Sequence, residues 1–256
     1  VRLAFIATTF SFLFAATLIQ AEDRVVELTA QDAKALEIFG PGVVGKALPA
    51  PPIENLAEYL NLGPGDWHYK LVHGNDKEGR KVRVESYEPI SGPSGSKAWK
   101  RIIGEEYIEF LRLHPSKGLL KYAEDDSDVG YGTKIDPGIL APDGIAVGET
   151  RTVESELHAF KTSNPEKVLY KGKSTSHLTY LGVYEVTTPA GTWPAVLFKN
   201  DLEVKIGPAD VSDATYCFYA KGIGKVAEIE LLNVSALFVY HSHEKTAKVL
   251  SGWPKR

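Results

Sequence analysis

The chain has 256 residues, 43% hydrophobic and 24% charged, with a formal net charge of -4. These values exclude an intrinsically disordered chain and leave no basic footprint for nucleic acid. A single cysteine, Cys217, excludes an internal disulfide framework, so an apolar core must supply the stability.

In chain order, "VRLAFIATTFSFLFAATLIQAED" comes first, with Arg2 ahead of an apolar stretch from Leu3 to Ile19 and Ala21 ahead of Glu22 and Asp23. That order predicts a secretory signal peptide over residues 1–21, cleaved after Ala21. The alternative is an uncleaved anchor, since about 17 apolar residues is the lower edge of a spanning helix. No cysteine stands near the cleavage point to carry a lipid. The expectation is therefore bacterial export to the periplasm or beyond, with no membrane span after cleavage.

Residues 22–63 read as an N-terminal arm. "LTAQDAKALEIFG" predicts a short helix capped by Thr29, with Asp32 in its first turn, Gly40 as its stop and Leu28, Ala35, Leu36 and Phe39 as its stripe. The Pro/Gly-rich "PGVVGKALPAPP" predicts an extended connector over residues 41–52, and "IENLAEYLNLG" a second short helix. From Trp67 the period becomes two, so residues 64–256 read as an antiparallel β domain. Nine or so strands are legible, from "WHYKLV" to "KVAEIELLNVSALFVY", with "HGNDKEG" and "HPSKG" as hairpin turns and "SGPSGS" as a surface loop. Such a sheet must curl into a half-barrel or split into a sandwich to bury its apolar face. In "YEVTTPAGTWPAVLFK", Pro189 and Gly191 predict a type I turn with a G1 bulge. Pro194 predicts an edge or bulge position, because it cannot donate to a ladder.

Candidate chemistry is sparse. His241 and His243 in "HSHE" share one strand face and are the candidate metal ligands, with Glu244 opposite and His158 and His177 as distant candidates for a third. "EDDSDVGYG" has calcium-like acidity, but Gly130 and Pro137 occupy ligand positions, so it reads as an acidic turn. "AKGIGKV" lacks the helix a phosphate cradle needs and reads as strand–turn–strand. Glu105 with Glu106, or Asp210 with Asp213, are the carboxylate pairs available for glycoside chemistry. Cys217, inside "TYCFYA", reads as a buried inert thiol, and the four tryptophans as core or cross-strand partners rather than a ligand groove.

Three stretches carry a resemblance. "YLNLGPGDWHYKLVHG" resembles the "Y-x-P-L-x-x-G-x-x-W-x-Y" opening of exported bacterial β proteins of the TapB-like type. "GVYEVTTPAGTWPAV" is similar to their "G-x-E-x-V-x-V-P-A-G-T-F" hairpin, and "YAKGIGKVAEIE" to their closing strand pair. Asn61 replaces the usual proline and Trp193 the usual phenylalanine. The resemblance, which extends loosely to LolA-like lipoprotein carriers, implies an exported β-sheet domain and supplies no catalytic residues.

The sequence thus leads to a mainly β protein with a large curled antiparallel sheet and a short helical arm. Its expected role is non-enzymatic binding, without a cofactor, of a hydrophobic small molecule or envelope-derived ligand on an apolar concave face. A structural module contacting an envelope protein, through sheet edges or the proline-rich residues 47–52, is the alternative. A metal-dependent enzyme is the third reading and has the least support.

Overall fold

A computed structural model describes residues 25–74, 79–236 and 240–254; the expected leader, residues 1–21, lies outside the described residues. The arm contributes helix α1 (Ala30–Leu36), a 3-10 turn (Glu37–Phe39), strand β1 (Val44–Leu48) and a second 3-10 turn (Leu56–Tyr59). The sheet follows as β2 (Gly65–His73), β3 (Val82–Ser91), β4 (Lys97–Ile103), β5 (Tyr107–His114), β6 (Gly118–Asp126), β7 (Tyr131–Asp136) and β8 (Ile139–Ala141). It continues through β9 (Thr150–Lys161), β10 (Asn164–Thr188), β11 (Gly191–Ile206), β12 (Ala209–Ala220), β13 (Gly224–Ala236) and β14 (Tyr240–Gly252).

The expectation of a half-barrel or sandwich is corrected: the sheet is a closed twelve-stranded barrel. Antiparallel neighbours run from β2 in sequence order to β7, then through β9 to β14, and β14 returns to β2 with Leu250 opposite Tyr69. Strand β9 makes the other seam, pairing with β7 on one side and β10 on the other. Closure satisfies both rows of backbone groups that an open sheet leaves at its edges. Strands β1 and β8 lie off the ring, on β10 and β6 respectively.

The helical first part of the arm packs on the outside of the wall. Thr29 accepts a hydrogen bond from the Asp32 amide at 3.1 Å and caps α1, and Gly40 ends the helical segment at a φ of 81°. Ala35, Leu36 and Phe39 are buried in the same core as Val186, Leu197, Ile229 and Val249 of the wall. The Phe39 and Phe218 rings lie 5.9 Å apart. The predicted second helix is only the 3-10 turn Leu56–Tyr59, preceded by an Ile53–Ile145 bridge. The expected connector is partly β1 and is docked on the wall, with Ala50 buried beyond it.

The 188–191 hairpin turns through Pro189 and Ala190, with Thr188 opposite Gly191. It has no αL glycine, since Gly191 has a φ of 153°, and a Cβ there would sit 2.7 Å from the Trp193 ring. The Thr188 hydroxyl accepts from the Ala190 amide instead, a side-chain closure of the turn. Pro194 opposes Glu185, while pairing with β12 starts only at Ala195, so the proline does occupy a local edge.

Candidate functional site

Strand alternation and barrel closure decide what enters the lumen. On β12 and β13, Phe218, Ala227 and Ile229 face outward beneath the arm, so Cys217, Tyr219, Glu228 and Glu230 face inward. Cross-strand register then stacks the inward residues in layers. The floor is largely aromatic, with Trp67, Tyr69, Tyr87 and Tyr219 beside Leu111, and is sealed by Leu60 and Leu62 of the arm. The Trp67 and Tyr87 rings meet edge to face at 5.0 Å.

Above the floor lies a buried ion network. Fully buried Glu85 accepts from Arg101 Nε at 2.9 Å and Nη2 at 2.8 Å, from Lys248 Nζ at 2.6 Å and from Lys225 Nζ at 3.3 Å. Glu228 pairs with Lys225 and Lys248, each at 2.5 Å. Arg101 also binds Glu109 at 2.6 Å, and Lys121 bridges Glu109 and Glu124. Four carboxylates therefore balance four cations, the condition under which buried charge is tolerated. Burial alone would raise the Glu85 pKa, but Arg101, Lys225 and Lys248 hold it well below the usual carboxylate range. The same competition raises the pKa of Arg101 and Lys121.

A third layer has acceptors in excess. Asn200, Thr215 and Glu230 are aligned across β11, β12 and β13, and the row above aligns Leu202, Asp213, Leu232 and Glu244. Thr215 donates to Asp213 Oδ2 at 2.6 Å, while Asp213 Oδ1 and Asn200 Oδ1 are buried without a hydrogen-bond partner among the described residues. Burial, then the neighbouring Glu230 and Glu228 charges, push the Asp213 carboxyl up to about 7. Burial beside Glu228 also raises Glu230. One row higher, beyond the lining of the cavity itself, Val204, Val211 and Val234 align on the same face and form an apolar collar on the β11–β13 side. The enclosed space is about 670 Å³ and reaches the end of the barrel where Glu105 and Glu106 turn from β4 into β5.

The structure disperses the candidates read from the sequence. His241 and His243 are exposed on β14, where His243 Nδ1 lies 2.6 Å from Asn233 Oδ1. His177 is on β10, four strands away around the wall, hydrogen-bonded to Thr152, and His158 is on β9. Among the described residues no group of three His, Cys, Asp or Glu side chains is placed to hold a metal ion. Asp126 Oδ1 accepts from the Asp128 and Val129 amides, making "EDDSD" a hairpin turn. Lys221 to Ile223 likewise turn β12 into β13. Asp210 is exposed at the strand end, whereas Asp213, Glu105 and Glu106 line the cavity. Cys217 faces Glu228 at 3.5 Å, and burial beside that carboxylate raises the thiol pKa far above neutrality, keeping it protonated. Trp193 pairs with Trp253 at 5.6 Å, on the core side of the hairpin.

Sequence reasoning missed the ion network. Its only signal was alternation with the charge on every second residue, as in Arg83–Glu85–Tyr87 or Glu228–Glu230. That pattern reads as a solvated face unless the opposite face is known to be covered by the arm.

No protein-family model matches the chain, and no curated protein matches it. Among solved structures the chain is similar to a candidate lipoprotein from Parabacteroides distasonis, at 14% identity and a TM-score of 0.38. It is also similar to a candidate exported protein with YmcC-like fold from Bacteroides fragilis, at 13% identity and a TM-score of 0.40. Each comparison covers 77% of this chain and 98% of the other. Likenesses at this level carry no argument, so the TapB-like resemblance rests on its three short stretches and the looser LolA-like one on the expected curled sheet alone. No helix among the described residues is long and apolar enough to cross a membrane.

Proposed function

We propose that this protein is a binding barrel of the cell envelope, whose lumen takes a small amphipathic molecule through its open end. The observation that carries the proposal is the cavity of about 670 Å³, which lies above a sealed aromatic floor and within a closed wall. A volume of this size is typical of small-molecule sites. The expected hydrophobic ligand becomes an amphipathic one, because polar Asn200, Thr215 and Asp213 sit just inside the apolar Val204, Val211 and Val234 collar. Binding rather than catalysis is favoured because the charges of the ion network are spent on one another and the single thiol is kept protonated. The leader-like residues 1–21 support a location outside the cytoplasm.

Native mass spectrometry of the full chain, purified without organic solvent, tests this reading. The expected result is a retained small-molecule adduct that disappears when Leu202→Trp and Leu232→Trp fill the lumen. An adduct unaffected by that filling, or an empty chain after extraction directly from envelope fractions, overturns it.

A further inference from the structure

The lumen's acceptor layer has fewer donors than acceptors: Thr215 donates to Asp213 Oδ2 at 2.6 Å and Thr246 to Glu230 at 3.5 Å, and no other donor is supplied to it among the described residues. Asn200 Oδ1 and Asp213 Oδ1 are buried without partners among the described residues, and neither Asp213 nor Glu230 makes an ion pair there. A buried acceptor without a donor is costly, so a ligand bearing N–H groups recovers what these unpartnered oxygens forfeit. Eight acidic residues and five basic ones line the cavity. Of the cations facing the layer, Lys121 and Lys248 are already held by Glu109, Glu124, Glu85 and Glu228. Arg83 from β3 acts on Glu230 without cancelling this acidic excess.

The register sets the orientation. Asn200 opposes Thr215, and Thr215 orients Asp213 by its 2.6 Å hydrogen bond, so the acceptors converge on adjacent strands. Toward the mouth the same inward faces become Leu202 and Leu232, then Val204, Val211 and Val234. A charged head seated on the acceptors would therefore lead its apolar chain outward along these residues.

Building on the lumen-binding reading above, we infer that the ligand is an alkylammonium: a primary amine head received by Asp213, Glu230 and Asn200, with an apolar chain in the collar. A primary ammonium supplies three donors and one positive charge, which matches two orphaned acceptors and an uncompensated carboxylate pair. A fatty acid brings a further anion into an acidic layer, and a quaternary amine brings charge without donors.

Isothermal titration of the full chain with four ten-carbon probes below their micelle concentrations tests the inference: decylammonium, decyltrimethylammonium, decanoate and decanol. Decylammonium is expected to bind once per chain, at least tenfold tighter than each of the others. Asp213→Asn should weaken decylammonium at least tenfold and leave decanol unchanged. Equal or tighter binding of decanoate overturns the inference, as does decylammonium binding that survives Leu202→Trp with Leu232→Trp. If Asp213→Asn fails to fold, the wild-type ranking alone decides. Binding of decanol without any ammonium preference refutes the cation while sparing the lumen reading, whereas binding of none of the four refutes both.

Discussion

Replacing Glu85 by glutamine keeps the side chain's shape and removes one charge from the ion network above the floor of the lumen. Four contacts between 2.6 and 3.3 Å lose their ionic partner, and the network changes from four carboxylates against four cations to three against four. Breaking a buried ion pair from one side costs about 3–5 kcal/mol, because the partner charge stays buried. The low end applies here, since Glu228 still takes Lys225 and Lys248 at 2.5 Å. About 3 kcal/mol corresponds to a Tm lowered by roughly 6–12 °C for a chain of this size. Urea unfolding followed by tryptophan fluorescence measures it. The double variant Glu85→Gln with Lys248→Met restores charge balance and should regain at least about 1 kcal/mol over the single variant. A single-variant cost below about 1 kcal/mol, or strict additivity in the double, would show that the lumen charges are solvated and the network is not a unit. The pH dependence has a definite sign: Glu85 is held below its unfolded value of 4.5, so its contribution is present above that pH and disappears on acidification.

Three further outcomes follow from other parts of the molecule. Buried Asp32 joins Thr29, the Tyr216 hydroxyl at 2.8 Å and Lys199 at 3.1 Å, so Asp32→Ala should cost about 2 kcal/mol and hasten proteolysis at Lys34. Unchanged cleavage at Lys34 would mean that the arm is held by its apolar stripe alone. Asp213 has its pKa raised from 3.8 to about 7, so its favourable contribution is complete below pH 3.8 and is lost as the pH rises through 7. Asp213→Asn should then stabilise the ligand-free protein at pH 8 by up to about 4 kcal/mol and change little at pH 4, with thermal melts at the two pH values as the check. Gly191→Ala forces a Cβ toward the Trp193 ring at a φ of 153° and should cost about 1–3 kcal/mol, whereas a neutral effect in chemical denaturation would mean that the indole moves aside freely.

The sequence carried the arm helix, the antiparallel character and the position of the 188–191 hairpin because each has a local cause: a capping threonine, alternation, and a proline at the turn, although Thr188 rather than a left-handed Gly191 closes it. Closure was not legible for an equally specific reason. The strands absent from the sequence reading are β4, β7, β8 and β14, together with β1, which was read only as part of an extended connector. Strands β4 and β14 aim Arg101, Glu244 and Lys248 into the lumen, and β7 is short with Gly132 beneath the Phe160 ring. Charge on the inward face destroys the apolar alternation by which a strand is recognised, and without β4, β7 and β14 a ring cannot be drawn. The same inversion hid the candidate site, since an apolar face was expected on the concave side. On β12 to β14 the apolar residues Phe218, Ile229 and Val249 are convex, roofed by a segment almost 200 residues earlier in the chain.

That roof has a kinetic consequence. The arm's partners come late: Asp32 meets Tyr216, 184 residues on, and β2 closes the ring on β14 through His73 and Ala247. Any process that delivers this chain from its N-terminus must keep α1, with its Leu36 and Phe39, waiting until nearly all of the sequence has emerged. Long-range closure of this kind is slow and leaves apolar surface uncovered in the interval. Truncation before β14 should therefore leave both an open seam and an unroofed wall, a species that associates rather than folds.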